Sequence, residues 1–299
     1  MFRAGLVALV GKPNVGKSTL MNHIVGQKVS IVSNKPQTTR RRVIGIATTP
    51  EYQIAFVDTP GVHTPRTQLD KSMVDATRSG LHAVDVIVVV VDGAHHPGEQ
   101  DREVAQVLSV SAEDDVPRLL CINKMDHLKP ENVTGFVEAY SALFHPADFV
   151  LTTASRGLNV SLLVKQIVER LPERSALYTE DEITDQSSRF MAAEFVREQI
   201  LVATRQEVPY ATAVTVDSWE ERPNGTVAIG ATIIVEKSSQ RAILIGQEGS
   251  FLKSIGTGAR LEIEALLGKA VFLGLHVRVQ EGWRMNPALI HELEYGERW

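Results

Sequence analysis

Val86–Val91 is six apolar residues in a row, five of them valine, and it restricts the fold more than any other feature of this chain. A strand with one wetted face alternates polar and apolar residues. A strand that is apolar throughout is covered on both sides, as in a parallel α/β sheet. Leu6–Val10, Ile54–Val57, Leu119–Ile122 and Phe149–Leu151 have the same character, with helix-like stretches such as Lys17–Val25 between them. The runs end at Gly11, Asp58, Asp92 and Asn123. Ligands of open α/β sheets lie beyond the carboxyl ends of the strands, so these residues mark the expected working edge.

A length of 299 residues predicts two domains. One cysteine, Cys121, excludes a disulfide scaffold and a cysteine-rich zinc site, and its strand position predicts packing rather than chemistry. No apolar run approaches the roughly 20 residues of a membrane span. Met1–Gly5 passes directly into a strand-like run, which leaves no room for a secretory signal and makes the cytoplasm the expected compartment. Residues 1–180 carry 19 basic and 19 acidic side chains; residues 181–299 carry 12 and 17, so the whole net charge of -5 lies there. No bulk basic field advertises nucleic acid, and any such contact must be local.

The helix pattern of Leu162–Leu171 stops at Pro172, and the acidic stretch to Ser188 reads as a linker. The expected domains are therefore 1–172 and 189–299, the second with a C-terminal tail. In the second, Phe190–Ile200 is an amphipathic helix, and strands at Thr212–Asp217 and Val227–Val235 are joined through Pro223-Asn224-Gly225. A helix over Gln240–Ile245, the turn Gly246-Gln247-Glu248-Gly249, a helix over Ser250–Leu267 and an alternating strand at Val271–Val279 complete an α+β unit.

Gly11-Lys12-Pro13-Asn14-Val15-Gly16-Lys17-Ser18, with Thr19 behind it, is a phosphate-binding loop in its proper place between strand and helix. Its backbone N–H groups face phosphates, Lys17 reaches the β- and γ-phosphates, and Ser18 offers a hydroxyl to Mg²⁺. Asp58-Thr59-Pro60-Gly61 on the same edge supplies a carboxylate for Mg²⁺ and a glycine N–H for the γ-phosphate. Asn123-Lys124-Met125-Asp126 selects the base: Asp126 can accept from guanine N1–H and the 2-amino group, a donor pair adenine lacks. Thr153-Ala154-Ser155 would bring a backbone N–H to guanine O6. The expected ligands are GTP and GDP.

These segments look like those of translation-factor-type GTPases. With Lys35-Pro36-Gln37-Thr38-Thr39-Arg40, Ala176-Leu177-Tyr178, Ile183-Thr184-Asp185 and Thr204–Tyr210, the chain resembles the Era family of bacterial GTPases over essentially its whole length. The resemblance implies an α/β P-loop GTPase domain, its mainly parallel mixed sheet covered by helices on both faces, followed by an α+β type II KH domain. It implies that Thr39, rather than Thr38, completes the Mg²⁺ site and that Asn14 holds K⁺. Val62 stands where Ras-like enzymes carry a water-orienting glutamine, which implies slow intrinsic hydrolysis. Lys17, Asn14 and Thr39 are the expected catalytic residues. The Gly246–Gly249 loop implies an RNA clamp, with Ile245, Arg241 and Lys253 beside it and Ile243, Phe251, Leu252 and Ile255 lining a groove. Glu248 stands where relatives usually place lysine, and Lys237 and Lys269 are further candidate cations. The implied partners are 16S ribosomal RNA near its 3′ end and the 30S subunit, for a monomer touching the inner membrane peripherally.

Two other classes stay open: a related GTPase of RNA modification, and an RNA-binding protein with a degenerate nucleotide site. The lack of length for a further domain opposes the first. The intact Lys17, Ser18, Asp58 and Asp126 oppose the second, and Asn123–Asp126 disfavours a kinase. Arg40-Arg41-Arg42 is expected to be a solvated face; whether Trp283 and Trp299 form an interaction tail is left open by the sequence; His95-His96 lacks a third ligand for zinc.

Overall fold

A computed structural model describes residues 1–113 and 115–295 and divides into two compact units, which are considered separately. The first contains the strands β1 (Arg3–Val10), β2 (Val43–Thr48), β3 (Tyr52–Asp58), β4 (Val86–Asp92), β5 (Arg118–Asn123) and β6 (Asp148–Leu151). They form one sheet in the order β2-β3-β1-β4-β5-β6, parallel except for the antiparallel β2–β3 pair. The order reverses direction at β1, so the loop that leaves β1 occupies the topological switch point. All seven residues of β4 are buried, as its unbroken apolar run requires.

Helices α1 (Lys17–Val25), α2 (Gln68–Ser79), α3 (Glu99–Ser111), α4 (Val133–Phe144) and α5 (Val160–Arg170) complete this unit. Val104 and Leu108 of α3 and Phe136, Tyr140 and Phe144 of α4 pack on one sheet face with Val10, Val57, Val89 and Ile122. Alternate strand residues such as Leu9, Val88 and Cys121 are equally buried but lie outside that cluster, on the opposite face.

β2 is absent from the expectation. Its Ile44 and Ile46 join the core while Gly45 separates them, so the strand is too short and too broken to announce itself. The expected linker also differs. Residues 173–185 belong to the first unit: Ile46 N–H donates to Ile183 O (2.8 Å) and Thr184 Oγ1 to Ile44 O (2.6 Å). Gln53, fully buried, accepts from the N–H groups of Leu177 and Tyr178 and donates to Tyr178 O.

The second unit runs from α6 (Ser188–Ala203) through β7 (Ala213–Glu221), β8 (Val227–Val235), α7 (Ser238–Ile245), α8 (Ser250–Leu267) and β9 (Val271–Val279) to α9 (Pro287–Tyr295). β7 and β8 are antiparallel and β9 lies parallel to β8. Val196 and Ile200 of α6 and Ile255 and Ala259 of α8 cover the inner sheet face at Ala231, Ile233 and Val277. Trp283 is buried and its indole N–H donates to Ala211 O (3.1 Å), so it is a core anchor rather than a tail. Trp299 lies outside the described residues.

Candidate functional site

The turn from β1 into α1 is shaped by backbone geometry. Gly16 has φ 101°, and a Cβ there would collide with Asn123 Nδ2; only glycine suits the position. The same Asn123 amide donates to Val15 O (2.8 Å), while its Oδ1 accepts from Ala154 N–H (2.9 Å) and Thr152 Oγ1 (3.1 Å). One side chain therefore fastens the phosphate loop to the loops after β5 and β6.

Lys17 is buried and donates only to carbonyls, Gly11 O (3.1 Å) and Lys12 O (3.2 Å). Burial lowers its pKa to about 8, against the pull of the Asp58 carboxylate. Ser18 Oγ donates to Asp58 Oδ2 (2.6 Å) and lies 3.1 Å from Thr39 Oγ1, which also reaches Asp58 Oδ2 (3.3 Å). Thr38 instead turns to Lys35 O (2.7 Å). Burial pushes the Asp58 carboxyl above its ordinary range, opposed by Lys17 and its hydroxyl partners. Its Oδ1 is buried with no hydrogen-bond partner.

Two hydroxyls and a carboxylate with a spare buried oxygen suit a small hard cation. Among the described residues no three His, Cys, Asp or Glu side chains cluster as a metal site, so such a cation needs phosphate and water oxygens as well. Mg²⁺ beside a nucleotide fits these residues.

A cavity of about 360 Å³ extends from Pro13, Lys17 and Ser18 to Asp126 and Thr153–Ser155. At its far end Asp126 Oδ1 accepts from Thr153 Oγ1 (3.3 Å), and Lys124 is held by Asp92 (2.7 Å). Burial opposes ionisation of Asp92, but the Lys124 hydrogen bond and the Ala94 N–H keep its carboxyl below the usual range. Ile31, Ser33, Asn34 and His127 also line the cavity; no sequence signal singled them out.

Gly61 lies so close to the phosphate loop that a Cβ would lie 2.7 Å from Pro13 Cα. The side chains of several expected nucleotide contacts are engaged elsewhere or buried. Lys12 pairs with Asp101 (2.8 Å), Thr59 Oγ1 donates to Leu9 O (2.8 Å), Val15 and Pro60 are buried, and Val62 packs in the core. Of Arg40-Arg41-Arg42 only Arg42 is exposed, because Thr39 is drawn inward to Ser18 and Asp58.

A model described as a 50S ribosome-binding GTPase matches residues 6–124, and a KH-domain model matches residues 207–284. GTPase Era of Geobacter metallireducens is 44% identical over 295 residues, 98% of each chain. The chain belongs to the Era family of GTPases. Era of Lactobacillus delbrueckii subsp. bulgaricus is 45% identical over 99% of this chain and 97% of its own. A crystal structure of Era in complex with MgGDPNP and nucleotides 1506–1542 of 16S ribosomal RNA matches with a TM-score of 0.93, at 37% identity over 99% of this chain and all of that one. An Aquifex aeolicus Era variant bound to GDP·AlF4⁻ matches with a TM-score of 0.92 at 38% identity, over 99% of this chain and all of that one. The two Era domains here are the P-loop GTPase unit and the KH unit already described, and the chain is a GTPase.

In the Era-family KH unit the Gly246–Gly249 loop joins α7 to α8, with Glu248 exposed and left-handed at φ 52°. Beside it lies a cleft of about 350 Å³ lined by Gly249, Leu252, Lys253, Gly256, Arg260 and Leu275, among others. Ile255 is core, not groove, and Ile245 and Phe251 are half-buried against that core. Ile243 and Arg241 are exposed, while Lys269 is paired with Glu221 (2.6 Å). Gly256 and Leu275 were not legible as groove residues, because strand alternation and helix period mark only which face is apolar.

Proposed function

We propose that this chain is a GTP-driven switch that binds small-subunit ribosomal RNA near its 3′ end through the KH unit and assists assembly of the 30S subunit. The observation that carries the nucleotide half is the single cavity with Lys17 and Ser18 at one end and Asp126 at the other. Its lining suits a guanosine triphosphate, with the phosphates on backbone N–H groups and Lys17. Ser18, Thr39 and Asp58 would hold Mg²⁺, which supplies charge neutralisation on the phosphoryl oxygens when bound.

The chain's own groups orient the nucleotide. The Gly16 turn bends the backbone around the phosphates, Lys17 Nζ exchanges two carbonyl partners for anionic oxygens, and Gly61 N–H and Thr39 respond to the γ-phosphate. Val62, in the core, orients no water, which supports slow intrinsic hydrolysis. Asn14 donates its amide to Asn34 O (2.8 Å), leaving Oδ1 to hold K⁺. For RNA, the Gly246–Gly249 loop clamps the backbone of single-stranded nucleotides, with Lys253 and Arg241 as counter-charges and Leu252 under the bases. The Era structure bound to a 16S ribosomal RNA segment supports this assignment. We place the chain in the cytoplasm as a monomer, with peripheral membrane contact on the family resemblance alone.

Asp126→Asn tests the base assignment. The amide presents a donor where guanine presents one, so GTP affinity is expected to fall by roughly a hundredfold or more while xanthosine triphosphate binding rises. Unchanged GTP affinity by calorimetry would overturn the assignment.

A further inference from the structure

Asp58 Oδ2 accepts from three hydroxyls: Ser18 (2.6 Å), Ser30 (3.1 Å) and Thr39 (3.3 Å). Ser18 and Thr39 are proposed cation ligands: each hydroxyl has a lone pair for the metal and keeps its O–H for the carboxylate, so its position must serve both. Ser30 has no such second task. It is buried, and it begins the loop that leads to Thr39.

Asn22, one turn after Ser18 on α1, fixes where Ser30 sits. Its Oδ1 accepts from the N–H groups of Val29 and Ser30 (both 3.0 Å), and its Nδ2 donates to Ser30 O (2.7 Å). Three bonds from one side chain clamp two consecutive residues, and Val29 and Ile31 on either side are buried apolar anchors. The loop is therefore pinned at Ser30 by α1.

We infer that Ser30, clamped by Asn22, is the positioning residue that holds the Asp58 carboxylate in place for the cation. This rests on the assignment of Ser18, Thr39 and Asp58 to Mg²⁺. Its chemical content is simple: one of the three donors on Oδ2 is placed by the protein alone, independently of the cation. The buried carboxylate then keeps one fixed orientation, with Oδ1 turned to the cation's water shell. Without Ser30, Oδ2 would be held only by hydroxyls whose positions the cation also sets, and the carboxylate would be less firmly oriented toward it.

The test loads the full chain with mant-labelled GDP and measures its release against Mg²⁺ concentration, a readout that needs no turnover. Ser30→Ala is expected to raise the Mg²⁺ half-point for slow release about tenfold, the scale of one hydrogen bond to a charged group. Ser30→Thr keeps the hydroxyl and is expected to restore the wild-type half-point. A hydroxyl with only a structural role would lower the unfolding temperature and leave the half-point alone. Ser18→Ala separates the two levels of the argument. If it moves the half-point and Ser30→Ala does not, the role of Ser30 is overturned and the cation site stands. If neither moves it, the cation assignment is wrong and the role of Ser30 falls with it. Should Ser30→Ala fail to fold, Asn22→Ala takes its place: a raised half-point supports the clamp, and an unmoved one overturns it.

Discussion

Lys17 is a buried ammonium whose protein partners are two carbonyl oxygens, and burial draws its pKa down to about 8. Such a group gains most from an anion that arrives with several oxygens, which is what a triphosphate brings. Hydrolysis needs a second device, because the residue after Gly61 is a core valine. Asn14 is the candidate: exposed, left-handed at φ 64°, with its amide nitrogen already committed. A monovalent ion on its Oδ1 would supply fixed positive charge where an arginine finger acts in other GTPases. GTP turnover in K⁺ is therefore expected to exceed that in Na⁺ by roughly tenfold or more, the scale of one electrostatic stabiliser. Asn14→Ala should remove the difference. Equal rates of phosphate release in the two salts would eliminate this role for Asn14.

At the scale of elements, the parallel strands and the phosphate loop were legible because each carries its own signal. An all-apolar run must be covered on both faces, and a glycine-bent loop between strand and helix fits little else. The edge was not legible. Residues 173–185 attach to the sheet partly through backbone groups, as where Ile46 N–H meets Ile183 O, and backbone hydrogen bonds leave no mark on side-chain pattern. Among the side chains that do take part is Gln53, a fully buried amide that accepts from two linker N–H groups and donates to Tyr178 O and Thr48 Oγ1. A glutamine inside an apolar strand was the available sign that another segment lies against it. Gln53→Ala leaves those groups without protein partners, at a cost of about 2 kcal/mol. Native-state hydrogen exchange should show the Leu177 and Tyr178 amides losing protection while β4 amides keep theirs. Unchanged protection at both amides would mean that the segment is held elsewhere.

For the molecule as a whole, charge is the unresolved tension. Residues 1–180 are neutral, residues 181–299 carry the entire net -5, and this acidic part contains the proposed RNA interface. Bulk attraction is therefore absent, and affinity must come from a few cations close to the cleft: Lys253 and Arg260 in its wall, Arg241 on the preceding helix. Arg260 is itself shared with Glu264 (3.6 Å), and Lys269, a plausible cation on sequence grounds, is committed to Glu221. Against them stands Glu248, exposed at the tip of the clamp loop, where backbone N–H groups are to meet phosphate. A carboxylate there repels phosphate at close range, and screening at physiological salt reduces but does not abolish the effect. Its left-handed backbone is a constraint on any replacement, and lysine carries the same Cβ, so Glu248→Lys adds no new strain of that kind. The exchange reverses one charge by two units. Binding of single-stranded RNA carrying the 3′ sequence of 16S ribosomal RNA is expected to tighten roughly five- to tenfold at low salt. The slope of log affinity against log salt should steepen by about 0.7, reflecting one extra phosphate contact on a single strand. Fluorescence anisotropy across a salt series reads both quantities. A tighter complex with an unchanged slope would assign the gain to loop geometry, and no change in either would place the RNA backbone away from the Gly246–Gly249 loop.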